Sequence, residues 1–166
     1  MNRAERLPTE RGHAVETGPT YDMIELFFFA YRDFVGDADR VLARYEFGRA
    51  HHRVLHFVTR RPGMTIAELL DILQITKQSL NRVLKQLLTQ KFVEARMGDK
   101  DRRQRLLYTA PLGRRLALEL AQLQSARFER ALAELPLGAR GAAVAFLAKV
   151  IDPATRSQIE RSLQRD

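Results

Sequence analysis

Long polar side chains are concentrated on one face of a predicted helix that follows Thr76. Its apolar residues recur at helical spacing and form an inner stripe of Leu80, Val83, Leu84, Leu87 and Leu88. The opposite face carries cationic and amide side chains, namely Lys77, Gln78, Asn81, Arg82 and Lys85. Such groups supply the donors and acceptors that read base edges and the cations that neutralise phosphates. The pattern therefore indicates a helix that contacts nucleic acid; the alternative is an ordinary amphipathic surface helix.

A second group of cations lies on a turn-rich segment just after this helix. Residues 97–103 separate two strand-like runs, 92–96 and 104–108, and this arrangement predicts a β-hairpin. Arg102 and Arg103 at the hairpin tip have the chemistry to enter a narrow minor groove. Asp101 could hold one of these guanidinium groups extended through a charge-assisted hydrogen bond. An exposed Asp–Arg pair by itself contributes little to stability. The position of this pair, just after the polar helix, is what indicates a role in binding.

The net charge of the chain is localised in this same region. The 166 residues carry a formal charge of +8, and residues 77–115 contain eleven Lys or Arg against three Asp or Glu. The remaining Lys and Arg therefore equal the remaining Asp and Glu in number. Localisation of this kind is typical of a polyanion-binding site. A surface kept charged for solubility, which is the alternative, would spread the excess along the chain.

The polar helix belongs to a pair of short helices joined by a tight turn. Arg60 to Gly63 end the preceding helix, and Thr65 and Glu68 have the spacing of a capping box. With Thr76 as the next N-cap, the pair forms a helix-turn-helix candidate. Around it, apolar spacing predicts helices over residues 20–35, 41–60, 111–135 and 139–151, and a helical tail beyond residue 153.

The first predicted helix is apolar on every side, so one packed face cannot account for its composition. A second copy of the chain is the simplest cover for a terminal helix of this kind, and we predict a homodimer. The apolar residues concerned are Met23, Ile24, Leu26, Phe27, Phe28, Phe29, Tyr31 and Phe34.

Composition excludes several other classes of function. The chain has no Cys, which removes disulfides, thiol nucleophiles and Cys-based zinc sites. Its longest apolar run, residues 26–30, is too short to cross a bilayer, and no signal core follows Met1, so we predict a cytoplasmic protein without membrane contact. Nucleophile-elbow, P-loop, dinucleotide-binding and zinc-protease motifs are absent from the sequence, and we predict no enzymatic activity and no cofactor.

Three histidines in the second predicted helix raise the question of a metal site. His52 and His56 share a helix face, and His51 adjoins them. A metal needs three or four ligands, and Glu46 and His13 are the only further candidates. We therefore predict no metal and favour hydrogen-bonded histidines or the polar wall of a ligand cleft.

The order of elements, together with MTIAELLDILQITKQSLNRVLKQLLTQKFVEARMGDKDRRQRLLY, resembles the MarR family of dimeric winged-helix transcription factors. The resemblance covers about residues 21–151, and the segments FFFAYRDF, FGRAHHRVLHFV and DRRQRLL resemble its narrower PetP-like branch. Two departures are visible. Lys91 stands where relatives usually place Gly after the recognition helix, and residues 109–113 displace the usual capping hydroxyl before the long helix.

The resemblance implies roles for individual residues. By this resemblance, the residues that contact bases and phosphates are Lys77, Gln78, Ser79, Asn81 and Arg82. Arg103 would enter the minor groove, Asp101 would hold the Arg103 side chain in position, and Arg102 would contact a phosphate. It also implies a small-molecule effector between the dimerisation helices and the winged unit, near Tyr31, Tyr45, His52 and His56.

We therefore expect a mainly α fold with a small β-wing, a MarR-like dimer that binds double-stranded DNA. Residues 1–18 are expected to form a flexible arm, 19–60 the dimerisation and linking helices, 61–110 the winged helix-turn-helix, and 111–166 the C-terminal dimerisation helices. The function expected is sequence-specific transcriptional regulation at a pseudo-palindromic operator. The alternative is a sequence-indifferent architectural protein, which would share the basic charge.

Overall fold

The computed structural model describes residues 18–98 and 104–163, which form seven α-helices and one small antiparallel sheet. The helices are α1 (Tyr21–Leu42), α2 (Arg49–Arg60), α3 (Ile66–Leu73), α4 (Lys77–Thr89), α5 (Pro111–Ala133), α6 (Ala139–Val150) and α7 (Pro153–Leu163). The strands are β1 (Met64–Thr65), β2 (Val93–Met97) and β3 (Arg105–Thr109). This is the mainly α fold with a β-wing that the sequence predicts.

The hydrophobic core lies under the helix-turn-helix, between α2, α3, α4, the sheet and the first half of α5. The apolar stripes meet there because each helix repeats its large residues at spacings of three and four. The largest fully buried side chains are Leu42, Leu55, Leu69, Leu80, Leu87, Leu107, Leu120, Val54, Val58 and Val93.

The sheet has the strand order β1-β3-β2, so β3 is hydrogen-bonded on both sides. Leu107 of β3 is the register partner of Met64 in β1 and of Ala95 in β2. The hairpin is the predicted one, whereas β1 was not predicted from sequence. A two-residue strand carries no periodicity, and β1 exists only because β3 offers it a bonding edge.

The boundary between the first two helices differs from the sequence prediction. Helix α1 continues to Leu42 instead of ending near residue 35, and α2 begins at Arg49 instead of residue 41. Between them the chain forms a short 3-10 turn, Ala43–Tyr45, followed by Glu46 at φ 57°. A left-handed residue ends helical geometry. Phe47 lies in this connection, ahead of α2, and is buried in the core.

Lys91 adopts a left-handed conformation, with φ 60°, at the position where the family resemblance leads us to expect Gly. Its N–H donates to the carbonyl of Leu88 at 3.1 Å, and the next N–H, of Phe92, donates to Leu87 at 2.8 Å. These bonds satisfy the end of α4 and turn the chain into β2. The departure in residue type thus leaves the geometry unchanged, and the non-Gly side chain bears a local conformational strain.

Ion pairs connect α1 to the helices that follow it. Asp37 accepts hydrogen bonds from Arg127 of α5, with Nη2 at 2.7 Å, and also pairs with Arg40. Asp39 pairs with Arg49 of α2 at 2.8 Å. These contacts orient α1 against the rest of the chain. In the part that the structure describes, no helix is long and apolar enough to cross a membrane.

Candidate nucleic-acid interface

Side-chain caps fix the two helices of the helix-turn-helix. The Glu68 N–H donates to Thr65 Oγ1 at 3.2 Å, and the Thr65 N–H donates to Glu68 Oε2 at 2.7 Å, which completes the predicted capping box of α3. Helix α4 begins after Thr76, whose Oγ1 accepts the Ser79 N–H at 3.1 Å. Gln74, at φ 50°, makes the tight turn between the helices.

Helix α4 buries four of its apolar residues and exposes its polar ones, while Leu88, predicted on the inner stripe, is 37% exposed. Leu80, Val83, Leu84 and Leu87 are buried, while five polar side chains of the predicted contact set are exposed together on the outer face: Lys77, Gln78, Asn81, Arg82 and Lys85. The helix contains no acidic residue, so nothing along it neutralises its three cations. Its polar face is therefore open and positively charged.

Ser79 differs from the other members of this set. Its side chain is half-buried, and its Oγ accepts a hydrogen bond from the Thr76 hydroxyl at 2.9 Å. Its N–H is occupied by the cap. Ser79 thus helps to define the first turn of α4, and its own hydroxyl proton is the group left for an outside acceptor.

The base of the hairpin stands beside α4. Met97 and Arg105 are the last register pair before the tip, and the Gly98 N–H donates to the Gln104 carbonyl at 3.0 Å. The guanidinium of Arg96 lies 4.4 Å from the ring centroid of Tyr108 and pairs with Glu94. The tip residues Asp101, Arg102 and Arg103 lie outside the described residues.

A shallow groove of about 290 Å³ runs between α4 and the sheet. Its floor is apolar, and Asn81, Lys85 and Arg105 stand at its rim. Two residues of the predicted contact set thus lie on the same side of the molecule as the strands of the wing.

The residues predicted to hold an effector fall into two groups. His56 of α2 lies close enough to His52 to lower its pKa by electrostatic repulsion, and the nearby carboxylate of Asp39 raises it. Arg49, the ion-pair partner of Asp39, also has Tyr31 as an electrostatic and hydrogen-bonding neighbour. Tyr45 instead packs against Phe47 and Phe92, with ring centroids 5.8 and 5.2 Å away. The structure therefore brings Tyr31, His52 and His56 into one polar region and places Tyr45 in an aromatic cluster on the core.

The histidines of this region favour the neutral state. Desolvation lowers the pKa of His52, and the nearby His56 lowers it further. Desolvation also lowers the pKa of His56, with added repulsion from Arg60 and Arg61. Among the residues described, no group of three or more His, Asp or Glu side chains is placed to hold a metal ion, and His13 lies outside them.

Sequence reasoning missed one contact to α4. His51 and Gln86, which are 35 positions apart, form a hydrogen bond at 2.9 Å between His51 Nε2 and Gln86 Oε1. The sequence signal was present in part, since His51 lies on the same side of α2 as Val54, Leu55 and Val58, and a partly buried polar ring needs a partner. The spacing of apolar residues along the sequence does not predict which residue that partner is.

A capped helix-turn-helix with a cationic outer face and an adjacent β-hairpin defines a winged helix-turn-helix transcriptional regulator. Solved structures share this fold. The regulator SlyA matches with a TM-score of 0.67 at 13% identity, covering 82% of this chain and 96% of that one. A mutant MepR of S. aureus bound to an oligodeoxyribonucleotide matches with a TM-score of 0.57 at 18% identity, covering 80% and 96%.

Sequence comparison identifies the family within this class of regulators. The family model described as MarR family matches residues 45–104. The HTH-type transcriptional regulator PetP of Rhodobacter capsulatus is 43% identical over 133 residues, which is 80% of each chain. The chain belongs to the MarR family of DNA-binding, non-enzymatic transcriptional regulators, and the resemblance to that family and to its PetP-like branch is confirmed.

Proposed function

We propose that this protein acts as a homodimeric, sequence-specific regulator whose two α4 helices enter successive major grooves of a pseudo-palindromic operator. The observation that carries the proposal is the outer face of α4, where five polar side chains are exposed on a helix without an acidic residue. Half-sites about 10 bp apart place both helices on one side of the duplex. A related fold, a mutant MepR, is bound to an oligodeoxyribonucleotide, which supports DNA as the ligand.

The first turn and a half of α4 reads the bases. In helix-turn-helix docking the N-terminal part of the recognition helix meets base edges, and here it carries Lys77, Gln78, Asn81 and Arg82. Ser79 donates its hydroxyl proton to a phosphate while its N–H stays in the cap. Lys85, one turn farther along, neutralises a phosphate.

The wing completes the interface. Strands β2 and β3 project from the core beside α4, and they carry the tip at which Arg103 enters the minor groove, Asp101 supports it and Arg102 contacts a phosphate. The localised charge of residues 77–115, which includes this tip, supports the assignment.

Dimerisation covers the apolar surface at the two ends of the chain. Leu26 and Phe28 of α1 are 67% and 66% exposed in the single chain. Further large apolar side chains are exposed on α1 and α6: Met23, Ile24, Phe27, Phe29, Val144, Phe146, Leu147 and Val150. Exposure of this extent is typical of an interface. On this basis residues 19–60 and 111–166 form the dimerisation part and 61–110 the DNA-binding part.

A small ligand modulates the dimer at the region formed by Tyr31, His52 and His56, with Tyr45 connecting it to the core under α4. The support is positional, because α1 and α2 meet there through the Asp39–Arg49 pair. A ligand at this junction changes the angle between the dimerisation helices and the DNA-binding unit. We place this activity in the cytoplasm.

Selection of duplex DNA tests the proposal. The protein is used to select binding sequences from a random pool, and binding to the selected duplex is then measured in excess unrelated DNA. A specific regulator retains its site at competitor levels that strip a sequence-indifferent binder. Recovery of no consensus, or a monomer in sedimentation analysis, would refute the proposal.

A further inference from the structure

Both nitrogens of the His51 ring are hydrogen-bonded, and they bond to different parts of the protein. The Gly48 N–H donates to His51 Nδ1 at 3.1 Å, which completes the first turn of α2. Because Nδ1 accepts, the proton of the neutral ring is on Nε2. Nε2 donates it to Gln86 Oε1 of α4 at 2.9 Å. One side chain therefore joins the start of α2 to α4.

The partners of His51 are themselves held in place. The His51 ring stacks on Phe47 with centroids 4.7 Å apart and an interplanar angle of 7°. The Gln86 amide nitrogen donates to the Glu46 carbonyl at 3.3 Å. Both side chains are half-buried, which strengthens such bonds relative to bonds exposed to water. The result is a chain of directional contacts from the α1–α2 connection to α4.

Apolar packing and this polar contact constrain α4 differently. The buried leucines hold α4 at its depth on the core, but apolar contacts have little directionality. A hydrogen bond requires an angle as well as a distance, so it resists rotation of the helix about its axis. A helix with side chains has a radius of about 5–6 Å, and a 10° rotation therefore moves its outer groups by about 1 Å. A base contact does not tolerate that displacement.

We propose that His51 is a positioning residue for DNA recognition, and that its Nε2 bond to Gln86 sets the rotation at which α4 presents its polar face. The inference rests on the proposed role of α4 as the recognition helix. Arg82 lies one helical turn before Gln86, so a rotation at Gln86 is transmitted directly to a predicted base contact. His51 itself touches no DNA in this arrangement.

Two substitutions at His51 separate its two hydrogen bonds. Asn places its side-chain oxygen where Nδ1 lies and falls short of Gln86, so His51→Asn keeps the cap of α2 and loses the bond to α4. Gln places its amide nitrogen where Nε2 lies, so His51→Gln keeps the bond to α4 and loses the cap. His51→Gln is also the matched control for affinity, because it changes the same residue and keeps the bond to α4.

Binding is measured by fluorescence anisotropy with a duplex selected by the wild-type protein and with an unselected duplex of the same length. Every variant is measured at a temperature where circular dichroism shows it folded. We expect His51→Asn to bind the selected duplex roughly threefold to tenfold more weakly, the loss of about one hydrogen bond. Its affinity for the unselected duplex and its salt dependence stay unchanged, because no phosphate contact is lost. His51→Gln keeps wild-type affinity and unfolds at a lower temperature.

Gln86→Met provides a second route, since it keeps the side-chain volume and removes the acceptor. It should lose the same affinity as His51→Asn, and the double variant should lose no more than either single variant. Equal affinities of His51→Asn and His51→Gln, or losses that add in the double variant, would overturn the inference. A wild-type protein that selects no duplex would overturn the proposed function and this inference with it, so the two failures are distinguishable.

Discussion

Gly113, in the first turn of α5, is the position where a single added methyl group should do most damage. A Cβ built there would lie 1.9 Å from the Phe92 carbonyl oxygen and 2.9 Å from its carbonyl carbon. That oxygen already accepts the Ala110 N–H at 3.0 Å, and this bond fixes the start of α5 on the first residues of the wing. The contact is with backbone, so no side-chain rotation can relieve it. Either the hydrogen bond breaks or α5 moves away by more than 1 Å.

The expected magnitude follows from opposing contributions. Overpacking a buried site costs about 1–3 kcal/mol, and loss of a buried hydrogen bond about 1 kcal/mol more. Replacing Gly by Ala within a helix favours the folded state by about 1 kcal/mol. Gly113→Ala should therefore lower the free energy of unfolding by about 1–3 kcal/mol. Relative to a total of about 5–15 kcal/mol, this loss is easily measured.

Urea denaturation followed by circular dichroism measures the loss. Gly36→Ala is the matched control, because Gly36 is also helical and no atom lies within 4 Å of its added Cβ. It should gain up to about 1 kcal/mol from helix propensity alone. A Gly113→Ala protein as stable as the wild type would refute the reasoning, whereas a loss in both variants would point to glycine itself and not to the Phe92 contact.

Four further outcomes are expected. Arg82→Ala should change the preferred base in the selected duplex and weaken binding by about 1–3 kcal/mol if a bidentate contact is lost; selection repeated with the variant checks this, and an unchanged consensus counts against a base contact. Arg103→Ala should reduce the slope of affinity against salt concentration, and an unchanged slope would show that the wing does not contact DNA. Phe28→Asp, in the exposed stripe of α1, should shift the protein to monomer in sedimentation velocity, and a wild-type monomer would contradict the assignment. Finally, desolvation lowers the pKa of all three α2 histidines from 6.5, so the folded protein favours their neutral form and the unfolded chain takes up protons first as pH falls. Thermal stability should therefore be full above about pH 6.5 and decline below it. A His52→Gln/His56→Gln variant should show a smaller decline.

Local patterns predicted the parts of the interface that depend on neighbours in sequence. The Thr65–Glu68 capping box, the Thr76 cap and the inner stripe of α4 form because the interacting groups are three or four residues apart. Helix order and the hairpin follow for the same reason. Membership in the MarR family agrees with what these local features predicted.

Contacts between distant residues could not be predicted in this way. The β1 strand depends on β3, more than 40 positions away, and the close approach of Gly113 to Phe92 depends on how α5 meets the sheet. The end of α1 was misplaced because nothing in the apolar spacing marks the break at residues 43–48, where Glu46 adopts a positive φ. Periodicity reports which residues face inward but not whether the backbone between them is continuous.

The central place of β3 bears on how the protein meets a duplex. Strand β3 is hydrogen-bonded to β2 on one edge and to β1 on the other, and β1 leads directly into α3. The base of the hairpin and the helix-turn-helix are therefore parts of one connected structural unit. In the proposed mode of binding, α4 and the base of the hairpin would therefore meet the duplex with their relative spacing already fixed. Because this spacing is set during folding, DNA binding in that mode would cost little conformational entropy, and a duplex whose grooves do not match the spacing would bind weakly.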